Sequence, residues 1–170
     1  NKDIADLGEI NIFDKALKKW KDDLNISKRN GLNQYYLEEV QKLMRNKKIT
    51  SNKWLNNYKN TGIIASQIPE AKIIFSFRNP LDNILSIYRT NFRNNSSYLY
   101  SIEECTKIYQ SHKLLMSTYK KQFPDKIYEL NYELLVQDPD TQIRSVIDWL
   151  EWEWNDTYLN PHLNERTVST

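Results

Sequence analysis

A chain of 170 residues and 20.4 kDa suits one domain with a single sizeable core. Hydrophobic residues at 39%, charged residues at 27% and a mean hydropathy of -0.75 describe a globular protein with a wet surface, and no apolar run approaches the roughly 20 residues that span a bilayer. The net charge of +2 conceals an asymmetry: residues 15–60 carry twelve Lys/Arg against four Asp/Glu, whereas residues 125–170 carry three against ten.

Residues 12–24 and 33–46 have the spacing of amphipathic helices, separated by a turn at residues 27–31. Ile12, Phe13, Ala16, Leu17, Trp20 and Leu24 form the stripe of the first, and its lysines fall mostly outside that stripe. Residues 48–51 read as a short strand. A third helix is expected through Leu55, Tyr58, Ile64 and Ile68, stopped by Pro69. Residues 71–77 are the best strand: compact, rich in Ile and Phe, bounded by Pro69 and Pro80, and apolar enough to be covered on both faces of a parallel sheet. Pro80 fits the first position of the next helix, with Leu81, Ile84, Leu85 and Tyr88 on one side.

Ser101-Ile102-Glu103-Glu104 has the pattern of a capping box and opens a long helix to about Phe123, with Cys105, Ile108, Tyr109, Leu115, Met116 and Tyr119 facing inward. Residues 126–131 alternate as a second strand. Asp138-Pro139 caps a last helix through Ile143, Val146, Ile147 and Leu150. Strands alternating with helices predict an α/β domain with a mainly parallel sheet. No repeat, low-complexity tract or long linker divides the chain, so a single domain over residues 1–170 is expected.

Glycine restricts the chemistry further. Gly8, Gly31 and Gly62 are the only glycines, so neither the dinucleotide fingerprint nor the Walker phosphate loop can be written in this chain. A phosphate here must be held by side chains, by helix N-termini or by sequence outside these residues. The single Cys105 excludes an internal disulfide framework and leans toward a reducing compartment. With two distant histidines, His112 and His162, it gives no zinc spacing, so no metal is expected. No apolar leader precedes the first helix, which gives a cytoplasmic, non-membrane expectation. A start at Asn rather than Met suggests a fragment. The basic, aromatic-laced first third fits a nucleic-acid-binding helical module, but a solvated helix face explains the same lysines more simply.

In parallel sheets ligands bind beyond the carboxyl ends of the strands. Arg78 stands there, directly after the strand at residues 71–77, and Ser86 follows eight residues later on the helix begun by Pro80. A guanidinium grips a phosphate through paired, charge-assisted hydrogen bonds, a hydroxyl adds another, and a helix N-terminus adds a favourable field. The alternative is structural: an Arg78–Asp82 pair and a serine bonded back into its own helix.

Residues 71–88 resemble the 3′-phosphate motif of the sulfotransferases that use 3′-phosphoadenosine 5′-phosphosulfate (PAPS): a strand, then Arg78-Asn79-Pro80, then Ser86. Tyr132-Glu133-Leu134-Leu135-Val136 resembles that family's Tyr-Glu-x-Leu-Val segment. Leu7-Gly8-Glu9, Ser51-Asn52-Lys53, and the run through Trp154, Pro161-His162 and Arg166-Thr167-Val168 supply three further landmarks in order. The nearest likeness is to the tyrosylprotein and tetratricopeptide-linked bacterial sulfotransferases, over residues 7–170. Two departures stand out. The family's 5′-phosphosulfate loop belongs upstream of Gly8, and Thr90 occupies a position where relatives place an arginine, with Arg89 one residue earlier.

The resemblance implies a three-layer α/β/α fold of the P-loop nucleotide-hydrolase type, truncated at its N-terminus, with a helical insertion before the central strand. It implies PAPS as co-substrate, no metal, and a hydroxyl or phenol acceptor. By the same resemblance, Arg78 and Ser86 hold the 3′-phosphate and Tyr132 lies against the adenosine. Lys53 neutralises charge on the bridging oxygen, and Glu9 takes the acceptor proton. Each role has a plainer rival: Glu9 as a helix-entry carboxylate, Lys53 as a solvated charge, Tyr132 as a half-buried sheet-end tyrosine. Two other functions fit the composition, a non-catalytic nucleotide- or phosphate-ester-binding α/β domain and the basic nucleic-acid-binding module.

Overall fold

The computed structural model describes residues 3–24, 31–44, 46–89 and 101–160. The turn expected at residues 27–31 is therefore described only at Gly31, and Thr90, Pro161, His162 and Arg166-Thr167-Val168 lie outside the described residues. The chain divides into two compact units, Asn1–Ala71 and Lys72–Thr170.

The first unit runs β1 (Ile4–Asp6), α1 (Ile12–Asp22), α2 (Leu32–Gln41), β2 (Ile49–Ser51), a 3-10 turn (Leu55–Asn60) and α3 (Thr61–Gln67). β1 and β2 pair in parallel, from Ile4 with Ile49 to Asp6 with Ser51. The stripe read for α1 is the buried one: Ile12, Phe13 and Ala16 are almost fully enclosed. Phe13 packs with Leu32 and Ile68, and its ring meets Tyr36 at 6.0 Å between centroids. Ile12 packs with Leu7 and Val40. Both helices are shorter than expected. α1 stops before Leu24, which is 92% exposed and so has no core to join. Asp23 instead turns extended and its carboxylate accepts a hydrogen bond from the Tyr35 hydroxyl. β1 was not among the strands expected from the sequence.

Glu39 ties the two helices together. Its Oε1 accepts from Lys19 Nζ on α1 at 2.5 Å and from Lys42 Nζ at 2.6 Å. The hydrogen bond from Lys19, then that from Lys42, holds the Glu39 carboxyl down at about 2, below its ordinary 4.5.

The second unit runs β3 (Ile73–Phe77), α4 (Pro80–Arg89), α5 (Ile102–Gln122), β4 (Ile127–Asn131), α6 (Tyr132–Gln137), α7 (Pro139–Trp149) and a 3-10 turn (Asp156–Leu159). β3 and β4 are parallel and in register from Ile73 with Ile127 to Phe77 with Asn131. α5 packs on α4 and on β4. It buries Cys105 and Met116, while Ile127 of β4 is also fully enclosed. Punctuation read from the sequence is reproduced at α4, which begins at Pro80, and at α7, where Asp138 accepts from Thr141 N at 3.2 Å and Pro139 follows.

Three local expectations change. Ser101 accepts from Glu104 N, but its hydroxyl goes to Glu103 and the Glu104 carboxylate pairs with Lys107, so the reciprocal half of the capping box is replaced. α4 buries Ile84 alone of its expected stripe; Leu81 is 75% exposed. On β3, Ile73, Phe75 and Phe77 are half-buried, whereas Ile74 and Ser76 face outward, so one face of the strand is covered rather than two. His112 on α5 explains part of that covering: its ring lies 5.4 Å from Phe75, and burial pushes its pKa below the ordinary value.

Parallel strands joined through helices make this an α/β fold, as read from the sequence. Among the described residues no helix is long and apolar enough to cross a membrane, and no cluster of His, Cys, Asp or Glu could hold a metal ion.

Candidate functional site

Within the first unit, Glu9 and Lys53 meet. Asp6, the last residue of β1, accepts from Gly8 N at 3.0 Å and from Ser51 Oγ at 3.2 Å. Gly8 then takes φ +61°, the left-handed region in which a Cβ is strained. Its carbonyl accepts from Lys53 N at 2.9 Å and from Asn52 Nδ2 at 3.1 Å, and Asn52 Nδ2 also reaches Ile10 O at 2.9 Å. Asn57 donates to Asn52 Oδ1 at 2.9 Å and so holds that amide in place. The loop after β1 is thereby stitched to the loop after β2, and the Glu9 carboxylate forms an ion pair with Lys53 Nζ. Both side chains are more than half exposed. The Glu9 carboxylate is thus partnered by Lys53, while Asn11 occupies the N-cap of α1 without a side-chain cap bond.

The second unit brings Arg78 and Tyr132 to one sheet edge. Phe77 and Asn131 are the last paired residues of β3 and β4, and Arg78 and Tyr132 are the next residue on each strand. Arg78 Nη2 donates to the main-chain oxygen of Asp82 at 2.8 Å, so the contact expected with the Asp82 carboxylate is made with its carbonyl. Ser86 is exposed on α4, one turn beyond Asp82. Tyr132 is half-exposed as the first residue of α6, a helix begun by Asn131, whose side chain accepts from Leu134 N at 3.0 Å.

Three residues that the sequence left without roles complete this edge. Glu133 Oε1 accepts from Asn79 N at 2.8 Å. Asn79 Oδ1 accepts from Leu81 N at 2.9 Å, capping α4. Tyr109 of α5 donates its hydroxyl to Arg78 O at 3.3 Å. Tyr109 was legible only as a member of an apolar stripe; Asn79 and Glu133 stood beside Arg78 and Tyr132 in their motifs.

Comparison with known proteins gives the family and the fold. A family model described as the sulfotransferase family matches residues 10–156. The chain belongs to the sulfotransferase family. A curated relative from Aquifex aeolicus (strain VF5), an uncharacterized protein, is 30% identical over 174 residues, covering 95% of this chain and 23% of that protein. The chain therefore spans about a quarter of the length of that relative. A solved structure, the sulfotransferase domain from the curacin biosynthetic pathway, is similar in fold, with a TM-score of 0.59, 15% identity, and coverage of 93% of this chain and 61% of that one.

Proposed function

We propose that this sulfotransferase-family chain moves a sulfuryl group from PAPS to a hydroxyl or phenol acceptor, with its two units acting as one domain. The observation that carries the reading is the shared end of β3 and β4: a guanidinium and a phenol follow the last paired residues of two parallel strands, where α/β proteins take their ligands. Arg78 supplies five N–H donors, of which Asp82 O engages one, and α4 turns its N-terminus toward the same edge. Arg78 and Ser86 then hold the 3′-phosphate, and the Tyr132 ring lies against the adenosine.

In the transfer, the acceptor oxygen bonds to sulfur as the bond from sulfur to the 5′-phosphate oxygen breaks. The acceptor proton passes to Glu9, and Lys53 offsets the charge gathering on the departing oxygen. Adenosine 3′,5′-bisphosphate is the other product. The ion pair between Glu9 and Lys53 supports this assignment, since it sets a proton acceptor and a cation within one contact.

Calorimetric titration with adenosine 3′,5′-bisphosphate tests the donor site. Removing a charge-assisted hydrogen bond costs about 1.5–3 kcal/mol, so Arg78→Ala should weaken binding by about one to two orders of magnitude relative to wild type. Equal affinities in the two proteins would remove Arg78 from the site. Tight binding with no sulfuryl transfer to any phenol or alcohol would favour the non-catalytic nucleotide-binding reading.

A further inference from the structure

The parallel ladder of β3 and β4 pairs residues at a constant offset, Ile73 with Ile127 through Phe77 with Asn131, and each pair is 54 positions apart. Beyond Phe77 and Asn131 the strands stop, yet the offset continues. Asn79 and Glu133 are also 54 apart, and they are joined by a side chain: Glu133 Oε1 accepts from Asn79 N at 2.8 Å. Arg78 and Tyr132, the pair between, are bracketed by the last rung of the sheet on one side and by this contact on the other.

We infer that Glu133 is a positioning residue for Arg78, fixing the β3–α4 turn so that the guanidinium stands over the first turn of α4. The inference rests on the donor-site reading of Arg78 given above. Three features of the turn support it. The Asn79 N–H precedes α4 and has no strand partner, so a side chain from α6 supplies its acceptor. The Asn79 side chain is committed to Leu81 N, which ties the peptide that Glu133 holds to the helix start. Tyr109 holds the adjacent carbonyl of Arg78 from α5. Glu133 therefore anchors one end of a short turn whose other contacts are already fixed, and a small displacement there moves the whole guanidinium.

The charge of Glu133 argues against a plainer account. A carboxylate close to a phosphate site lowers anion affinity through its field, so a role through charge alone predicts tighter binding when it is removed. A role through position predicts the reverse for some substitutions. Glu133→Gln keeps an oxygen acceptor at the same reach and removes the charge. Glu133→Asp keeps the charge and shortens the reach by one methylene. Glu133→Ala removes both.

The measurement is calorimetric affinity for adenosine 3′,5′-bisphosphate in wild type and the three variants, alongside their melting temperatures. Misplacing a binding group is costly, so Glu133→Ala and Glu133→Asp should each weaken binding by about 10-fold, while Glu133→Gln binds as wild type or more tightly. If Glu133→Ala fails to fold, the Gln and Asp variants decide the matter. Wild-type affinity in Glu133→Asp, or tightening in Glu133→Ala, overturns the positioning role alone. A wild-type protein that does not bind the nucleotide overturns the donor reading first, and this inference with it.

Discussion

The guanidinium of Arg78 donates to the main-chain oxygen of Asp82, one helical turn before Ser86. In an α-helix that oxygen also accepts the N–H of the residue four positions later, which here is Ser86. Arg78 from the strand end and Ser86 from the helix thus converge on one rung of α4, although eight residues separate them. Arg78 is thereby tied to the first turn of α4, and Ser86 follows one turn later on the same helix.

Glu9→Gln separates a base from an ion-pair partner. Removing a general base should lower single-turnover sulfation by at least about 10²-fold with nucleotide affinity nearly unchanged. As a surface pair with Lys53 the same carboxylate contributes about 0–1 kcal/mol, so stability should change little. Normal turnover with a slightly lower melting temperature would make Glu9 structural.

Gly8→Ala should destabilise the first unit. An L-residue held at φ +61° costs roughly 1–2 kcal/mol, which for a chain of this size is about 2–8 °C in melting temperature. Gly8→Asn should lose less, since asparagine visits that region more readily. Thermal unfolding of the two variants checks the order; an unchanged Gly8→Ala protein would mean that the loop after β1 can relax.

Glu39 should titrate at about 2 by carboxyl NMR, and Lys19→Ala should move it up toward 4.5. The folded value lies below the unfolded one, so the stabilisation is complete above about pH 4.5 and is lost as pH falls toward 2. A midpoint near 4.5 in the wild-type protein would show that the contacts from Lys19 and Lys42 do not persist in solution.

His112 works on a different window. Burial lowers its folded pKa below the ordinary 6.5, so the unfolded chain takes up the proton first. Stability should be full above about pH 6.5 and decline as pH falls below it, and this component should vanish in His112→Gln. Parallel melting curves between neutral and mildly acidic pH check it; identical slopes in both proteins would show that the ring is hydrated.

Elements set by local chemistry were legible in the sequence. β3 is a short apolar run between prolines, Pro80 and Asp138-Pro139 start helices, and the α1 stripe follows a 3.6-residue period, each a signal contained within a few neighbouring residues. The order of motifs likewise marked Glu9, Lys53, Arg78, Ser86 and Tyr132 as residues to watch. What only the tertiary structure decided was how they are held. The Glu9–Lys53 pair, the Asn52 bridge to Gly8 and the Glu133 hold on Asn79 each join residues more than 40 positions apart. Such contacts leave no trace in local composition, because they depend on the register in which distant strands pair. Parallel pairing aligns β1 with β2 and β3 with β4 across long crossovers, and that alignment alone chooses which loop residues come to face one another.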